Sequence, residues 1–116
     1  MGKKSRDKGA DYEREVVRDL KELGYDCQRT AQHCGKPTKA SGAADNSDVV
    51  GLPGIHIECK RYANRGFDYN WLEQAMRDCG ENLPAVFHRI DRKETVVTMS
   101  LRDWEKLYAA YLKHKS

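Results

Sequence analysis

No apolar run in the chain approaches the roughly 20 residues that a membrane span needs, and its first residues carry charge where a signal peptide has an apolar core. Both absences lead to the expectation of a soluble, cytoplasmic protein. Internal repeats are missing too, which removes the solenoid and propeller classes. The four cysteines, Cys27, Cys34, Cys59 and Cys79, form no C-x-x-C pair. Their spacing fits neither a zinc ribbon nor a Cys/His finger. Reduced thiols are expected, with Cys59 and Cys79 as small core residues. A structural zinc on Cys27, His33 and Cys34 rests only on the adjacency of the last two.

What the chain does have is patterned charge. The first ten residues hold a surplus of three positive charges, and Arg29, Lys36 and Lys39 are unopposed between Gln28 and Ala40. Both segments contain glycine and suggest phosphate contacts, although a frayed tail and a solvated loop account for the same charges. At 116 residues the chain has room for one core. The division expected is a basic flexible tail over 1–9 and a single domain over 10–116.

Periodicity orders the elements. A helix is expected from about Ala10 to Leu23, stopped by Gly24, then a short strand over Tyr25 to Arg29 and a polar loop from Thr30 to Asn46. Asp48-Val49-Val50 starts a strand, Gly51-Leu52-Pro53-Gly54 turns, and Ile55 to Arg61 is the next strand. Leu72, Ala75, Met76 and Cys79 make a helical stripe closed by Gly80. Pro84 to Ile90 and Thr95 to Met99 pair around Asp91 to Glu94. Ser100 caps a last helix made amphipathic by Leu101, Trp104, Leu107, Tyr108, Tyr111 and Leu112. The order α-β-β-β-α-β-β-α describes an α/β fold with a mixed sheet.

In Ile55 to Arg61, Ile55, Ile57 and Cys59 take one face, while His56, Glu58 and Lys60 take the other. If the preceding strand pairs across the Gly51 to Gly54 turn, Asp48 reaches Glu58 and Lys60. Two carboxylates and the Cys59 backbone carbonyl are the hard oxygen ligands that Mg²⁺ accepts, and an ammonium beside them can orient a water or offset phosphate charge. An ordinary i, i+2 ion pair on a surface strand is the plain alternative. On the first helix, with Tyr12 at zero, Val16, Leu20 and Val17 fall at about 40°, 80° and 140°, with Leu23 near 20°; Glu13 falls inside that apolar arc near 100°. A charge there needs a partner, a metal, or access to solvent at the helix end. Glu15, outside the arc, is expected at the surface.

The set Lys8-Gly9-Ala10-Asp11-Tyr12-Glu13-Arg14-Glu15, Gly24-Tyr25, Arg29, Ser47-Asp48-Val49-Val50-Gly51 and Ile57-Glu58-Cys59-Lys60 resembles the archaeal-type Holliday junction resolvases of the PD-(D/E)xK nuclease superfamily, over the first half of the chain. Ser47 stands where the motif has its proline. The resemblance implies a restriction-endonuclease-like three-layer core, a mixed central sheet flanked by helices. It also implies a Mg²⁺- or Mn²⁺-dependent endonuclease that cuts four-way DNA junctions as a homodimer, of the small kind found in phages and prophages and working in the host cytoplasm. Asp48 and Glu58 would hold the metal, Lys60 would position the water, Glu13 would complete the metal site, and Arg14 and Arg29 would contact DNA phosphates. Some relatives carry a glutamine on the helix after the lysine strand, where this chain has Gln74, also readable as a solvated helix residue. His88 and Arg89 stay outside the expected site. The other readings are a nicking, flap-cutting or restriction-type enzyme of the same chemistry, and a DNA-binding module that does not cleave.

Overall fold

The computed structural model describes residues 2–30 and 47–115, with side chains from Gly9 onward. The expected element order holds: α1 (Gly2–Glu22), β1 (Gln28–Arg29), β2 (Val49–Val50), β3 (Ile55–Tyr62), α2 (Tyr69–Asp78), β4 (Leu83–Ile90), β5 (Val96–Thr98) and α3 (Leu101–Lys115). The five strands form one mixed sheet in the order β1-β2-β3-β4-β5, parallel between β3 and β4 and antiparallel at the other junctions. A five-stranded mixed sheet with three helices is compatible with a restriction-endonuclease-like fold. No described helix is long and apolar enough to cross a membrane.

Alternation along β3 and β4 assigns the two faces. Ile57 packs with Tyr12, Val16 and Leu20 of α1, with Cys59 and Phe87 against the same cluster. Val86, paired with Glu58, packs with Trp71, Leu72 and Ala75 of α2. β3 is therefore covered on both sides, as a central parallel strand is. That is why His56 and Glu58, on the face away from Ile57, are buried as well. The expectation of one buried face was drawn from β3 alone and missed α2, which packs over the other.

Four elements differ clearly from the sequence reading in extent. α1 begins at Gly2 and not near Ala10, so the segment read as a tail is helical; Lys3, Lys4, Arg6 and Lys8 are good helix formers. Its regular turns end at Glu22, one residue early, which leaves Leu23 72% exposed in the following turn. β1 and β2 are two residues each. α2 starts earlier than its apolar stripe because the Asp68 carboxylate accepts the Asn70 N–H and caps it.

The turn between β2 and β3 depends on Gly51. Its φ is +107°, and a Cβ there would meet the Asp26 carbonyl oxygen and lie 2.8 Å from the Cys27 Cα. Gly51→Ala combines left-handed strain with a backbone collision and should destabilise the protein by on the order of 3 kcal/mol. Urea unfolding measures this, and a midpoint within error of the parent protein would show that the β1–β2 approach can give way.

Candidate active site

Asp48 is pinned from three directions. Its N–H donates to the Ile57 carbonyl at 2.9 Å, its carbonyl accepts the Thr30 N–H at 3.0 Å, and the Thr30 hydroxyl donates to the carbonyl of Ser47. The Cys59 N–H then donates to Asp48 Oδ2 at 2.8 Å. In a strand the N–H and C=O of one residue point to the same side. The Cys59 carbonyl therefore faces the edge where the Asp48 carboxylate sits.

Glu58 is 3% exposed, and its Oε1 lies 3.0 Å from Nε2 of His56, itself 2% exposed. Sequence reasoning placed His56 on this face but left it out of the site. The H-x-E spacing was the available signal, since residues two apart on a strand are neighbours on one face. His56 holds one oxygen of a carboxylate that would otherwise be buried without a partner.

Burial first, and then the neighbouring Glu58 carboxylate, push the Asp48 carboxyl up from its ordinary value near 3.8 to about 7. Glu13 adds to the rise, while the Cys59 N–H and the Lys60 ammonium oppose it. Glu58, Lys60 and Glu13 thus all lie within electrostatic reach of Asp48. Burial, followed by the same three carboxylates, also raises the Cys59 thiol, which stays protonated.

This raised carboxyl has a measurable consequence. Between about pH 4 and 7 the folded chain keeps a proton that the unfolded chain has released, so stability without metal falls as pH climbs through that window. The loss is on the order of a few kcal/mol. Thermal unfolding in EDTA across that range should show it, and Asp48→Asn should flatten the profile. A parent protein whose stability is level or rises from pH 4 to 7 would contradict the burial of Asp48.

Glu13 and Arg29 meet on the α1 side of the sheet, with Arg29 Nε donating to Glu13 Oε1 at 2.9 Å. Their side chains are 20% and 13% exposed. The charge in the apolar arc therefore has a protein partner, and Glu13 lies within electrostatic reach of Asp48 and Cys59. Arg14 is exposed and bonded to Asp11. Arg14, Arg18, Lys21 and Arg29 line a surface hollow of about 440 Å³ with Val17 and Glu22. Arg18 and Lys21 follow Arg14 at i+4 and i+7, a basic stripe legible in the sequence.

The expectation that Glu15 is an ordinary surface residue is corrected. Arg89 Nε and Nη2 donate to its two carboxylate oxygens at 2.8 and 2.7 Å, joining β4 to α1. This hydrogen-bonded pairing with Arg89 lowers the Glu15 carboxyl. A wheel drawn on one helix cannot show a guanidinium arriving from another element. Gln74 is half-buried on α2, and His88 packs beside Phe67 and Trp71. Lys36, Lys39, His33 and Cys34 lie outside the described residues.

Among the described residues, no three His, Cys, Asp or Glu side chains converge closely enough to enclose a metal by themselves. Mg²⁺ does not require that, since it usually keeps several waters and takes one or two carboxylates together with substrate phosphate. Asp48 and Glu58 each have one oxygen in a hydrogen bond, while a carboxylate has about four acceptor sites. A buried Glu58 and a half-buried Asp48 whose ionisation it opposes, beside a carbonyl on the same edge, fit a divalent cation. The same pair fits a monovalent cation poorly.

The family model described as "Phage putative PDDEXK endonuclease" matches residues 4–115. The chain belongs to this family, whose nucleases generally use divalent metals. No curated protein and no solved structure matches it.

Proposed function

We propose that the protein is a metal-dependent, structure-specific DNA endonuclease that resolves four-way junctions as a homodimer. The observation that carries this reading is the half-buried Asp48 carboxyl, raised to about 7 by desolvation and by the buried Glu58 beside it, with Lys60 two residues beyond Glu58 on β3. Such an arrangement is unfavourable for folding alone and useful for holding a cation. Asp48, Glu58 and the Cys59 carbonyl would hold Mg²⁺ or Mn²⁺, with Glu13 completing the charge of the site. The bound ion would supply Lewis-acid stabilisation of the phosphate and a more acidic water. Lys60 would orient the attacking water and offset charge on the phosphate, and His56 keeps the Glu58 carboxylate in place. Arg14 and Arg29 bind flanking phosphates, with Lys36 and Lys39 as further contacts.

The test is cleavage of an immobile four-way junction and of the matching linear duplex, with Mg²⁺ or with EDTA. Symmetric cuts in the junction, with Mg²⁺ only, support the reading. Equal cutting of both substrates assigns the same chemistry to another DNA structure. Binding without cleavage under any divalent metal leaves a DNA-binding module.

A further inference from the structure

α3 has almost nothing to pack on within the described residues. Its single buried residue is Asp103, and neither core cluster includes a residue from it. Leu101, Trp104, Leu107, Tyr108, Tyr111 and Leu112 are all 42–78% exposed. At 100° per residue they fall within an arc of about 140° on one side of the helix. Trp104 and Tyr108 stack at 5.1 Å and Tyr108 and Tyr111 at 6.2 Å, so the stripe is an ordered ladder of rings. A helix of 15 residues is marginal in water without tertiary packing. This one needs a host for its apolar side.

We propose that the host is a second copy of the same helix, laid antiparallel across a two-fold axis near Tyr108. This takes up the paired-copy part of the functional reading and names its surface, but it can be tested without cleavage. Charge favours this geometry. Of the charges on α3, Glu105 in its first half borders the apolar stripe and Lys115 in its last turn lies within it, while Asp103 is paired with Lys106 in the same chain. About an axis through residue 108, antiparallel pairing brings Lys115 of one copy within about one turn of Glu105 of the other and sets helix ends of opposite dipole together. A parallel pair would set like charges side by side. The same operation places Trp104 against Leu112 and Tyr108 against itself, as an isologous contact requires.

The area is also of the right size. Six side chains about half exposed, at roughly 150–250 Å² for each aromatic, leave on the order of 600 Å² of apolar surface. That is at the upper end for a free monomer's largest patch and close to the ~800 Å² per partner of a standard interface. Val96 and Val97, half-exposed on the edge strand β5 just before α3, can add to it. The segment 31–46 is a poor occupant, because it contains no Val, Leu, Ile, Met, Phe, Tyr or Trp.

Sedimentation equilibrium at micromolar concentration tests the seam. The parent protein should have twice the chain mass, and Tyr108→Glu and Trp104→Glu should each weaken the dimer by about a hundredfold or more, since each forces a carboxylate into an apolar contact. Both positions face solvent in the single chain, so the circular dichroism spectrum should not change. An independent measurement uses Tyr108→Cys, which should give a covalent dimer with an added oxidant, while Ala110→Cys, on the opposite side of α3, should not. A dimer that keeps its mass with both Glu variants overturns the seam and leaves the paired-copy reading standing. A monomeric parent protein overturns both, and the junction assay then decides the nuclease reading separately.

Discussion

Lys60→Ala is expected to slow DNA cleavage by on the order of a hundredfold or more and to leave DNA affinity close to that of the parent protein. Lys60 follows Glu58 by two residues on β3 and shares its face, about 7 Å away along the strand. Its positive charge already holds down the Asp48 carboxyl. Such a group matters most when negative charge accumulates on the phosphate, whereas affinity comes from many phosphate contacts spread over the surface. Glu58→Gln should have an effect of the same size. It is a better choice than Glu58→Ala, because the amide keeps a polar partner for buried His56, and truncation would leave that ring unpaired at about 1–3 kcal/mol. Single-turnover cleavage and gel-shift titration, run on the same preparations, separate the two quantities. Cleavage and binding that fall together would remove Lys60 from the chemistry and make it a phosphate contact.

The parts of this site legible in the sequence are those that one strand or one helix defines. The alternation in Ile55 to Lys60 places Glu58 and Lys60 on one face, and the arc of Tyr12, Val16 and Leu20 includes Glu13. What was not legible depends on pairs between distant elements. β4 runs parallel to β3, and α2 packs over the face of the two strands that carries His56, Glu58 and Val86. Arg89 reaches Glu15 across 74 positions of sequence, and Arg29 reaches Glu13 across the β1–α1 junction. Periodicity shows that a residue faces inward but not which residue meets it there. The aromatic stripe of α3 is the same lesson from the other side, since its pattern is plain while neither core cluster of the described residues includes it.

Glu13→Gln tests which of two services this carboxylate performs. It accepts a hydrogen bond from Arg29, and its charge raises the Asp48 carboxyl. The amide keeps an acceptor for Arg29 Nε and removes the charge. If Glu13 serves the metal, cleavage should fall by roughly tenfold to a thousandfold and the Mg²⁺ requirement should move to higher concentration. The metal-free fold should survive, with Asp48 easier to ionise because one nearby negative charge is gone. If Glu13 serves only to hold Arg29, then Arg29→Gln should produce the same loss of cleavage, the double substitution should add nothing, and the Mg²⁺ dependence should stay where it was. Glu81→Gln, at an exposed position after α2, is a suitable control in place of Glu15, whose pairing with Arg89 makes any change there structural. The Mg²⁺ titration is the deciding measurement. Because Glu13 stands on the α1 side of the sheet and Glu58 on the other, a shift in that curve would mean that the cation is held at the sheet edge, where both faces can reach it. An unshifted curve leaves Asp48, Glu58 and the Cys59 carbonyl as the whole metal set.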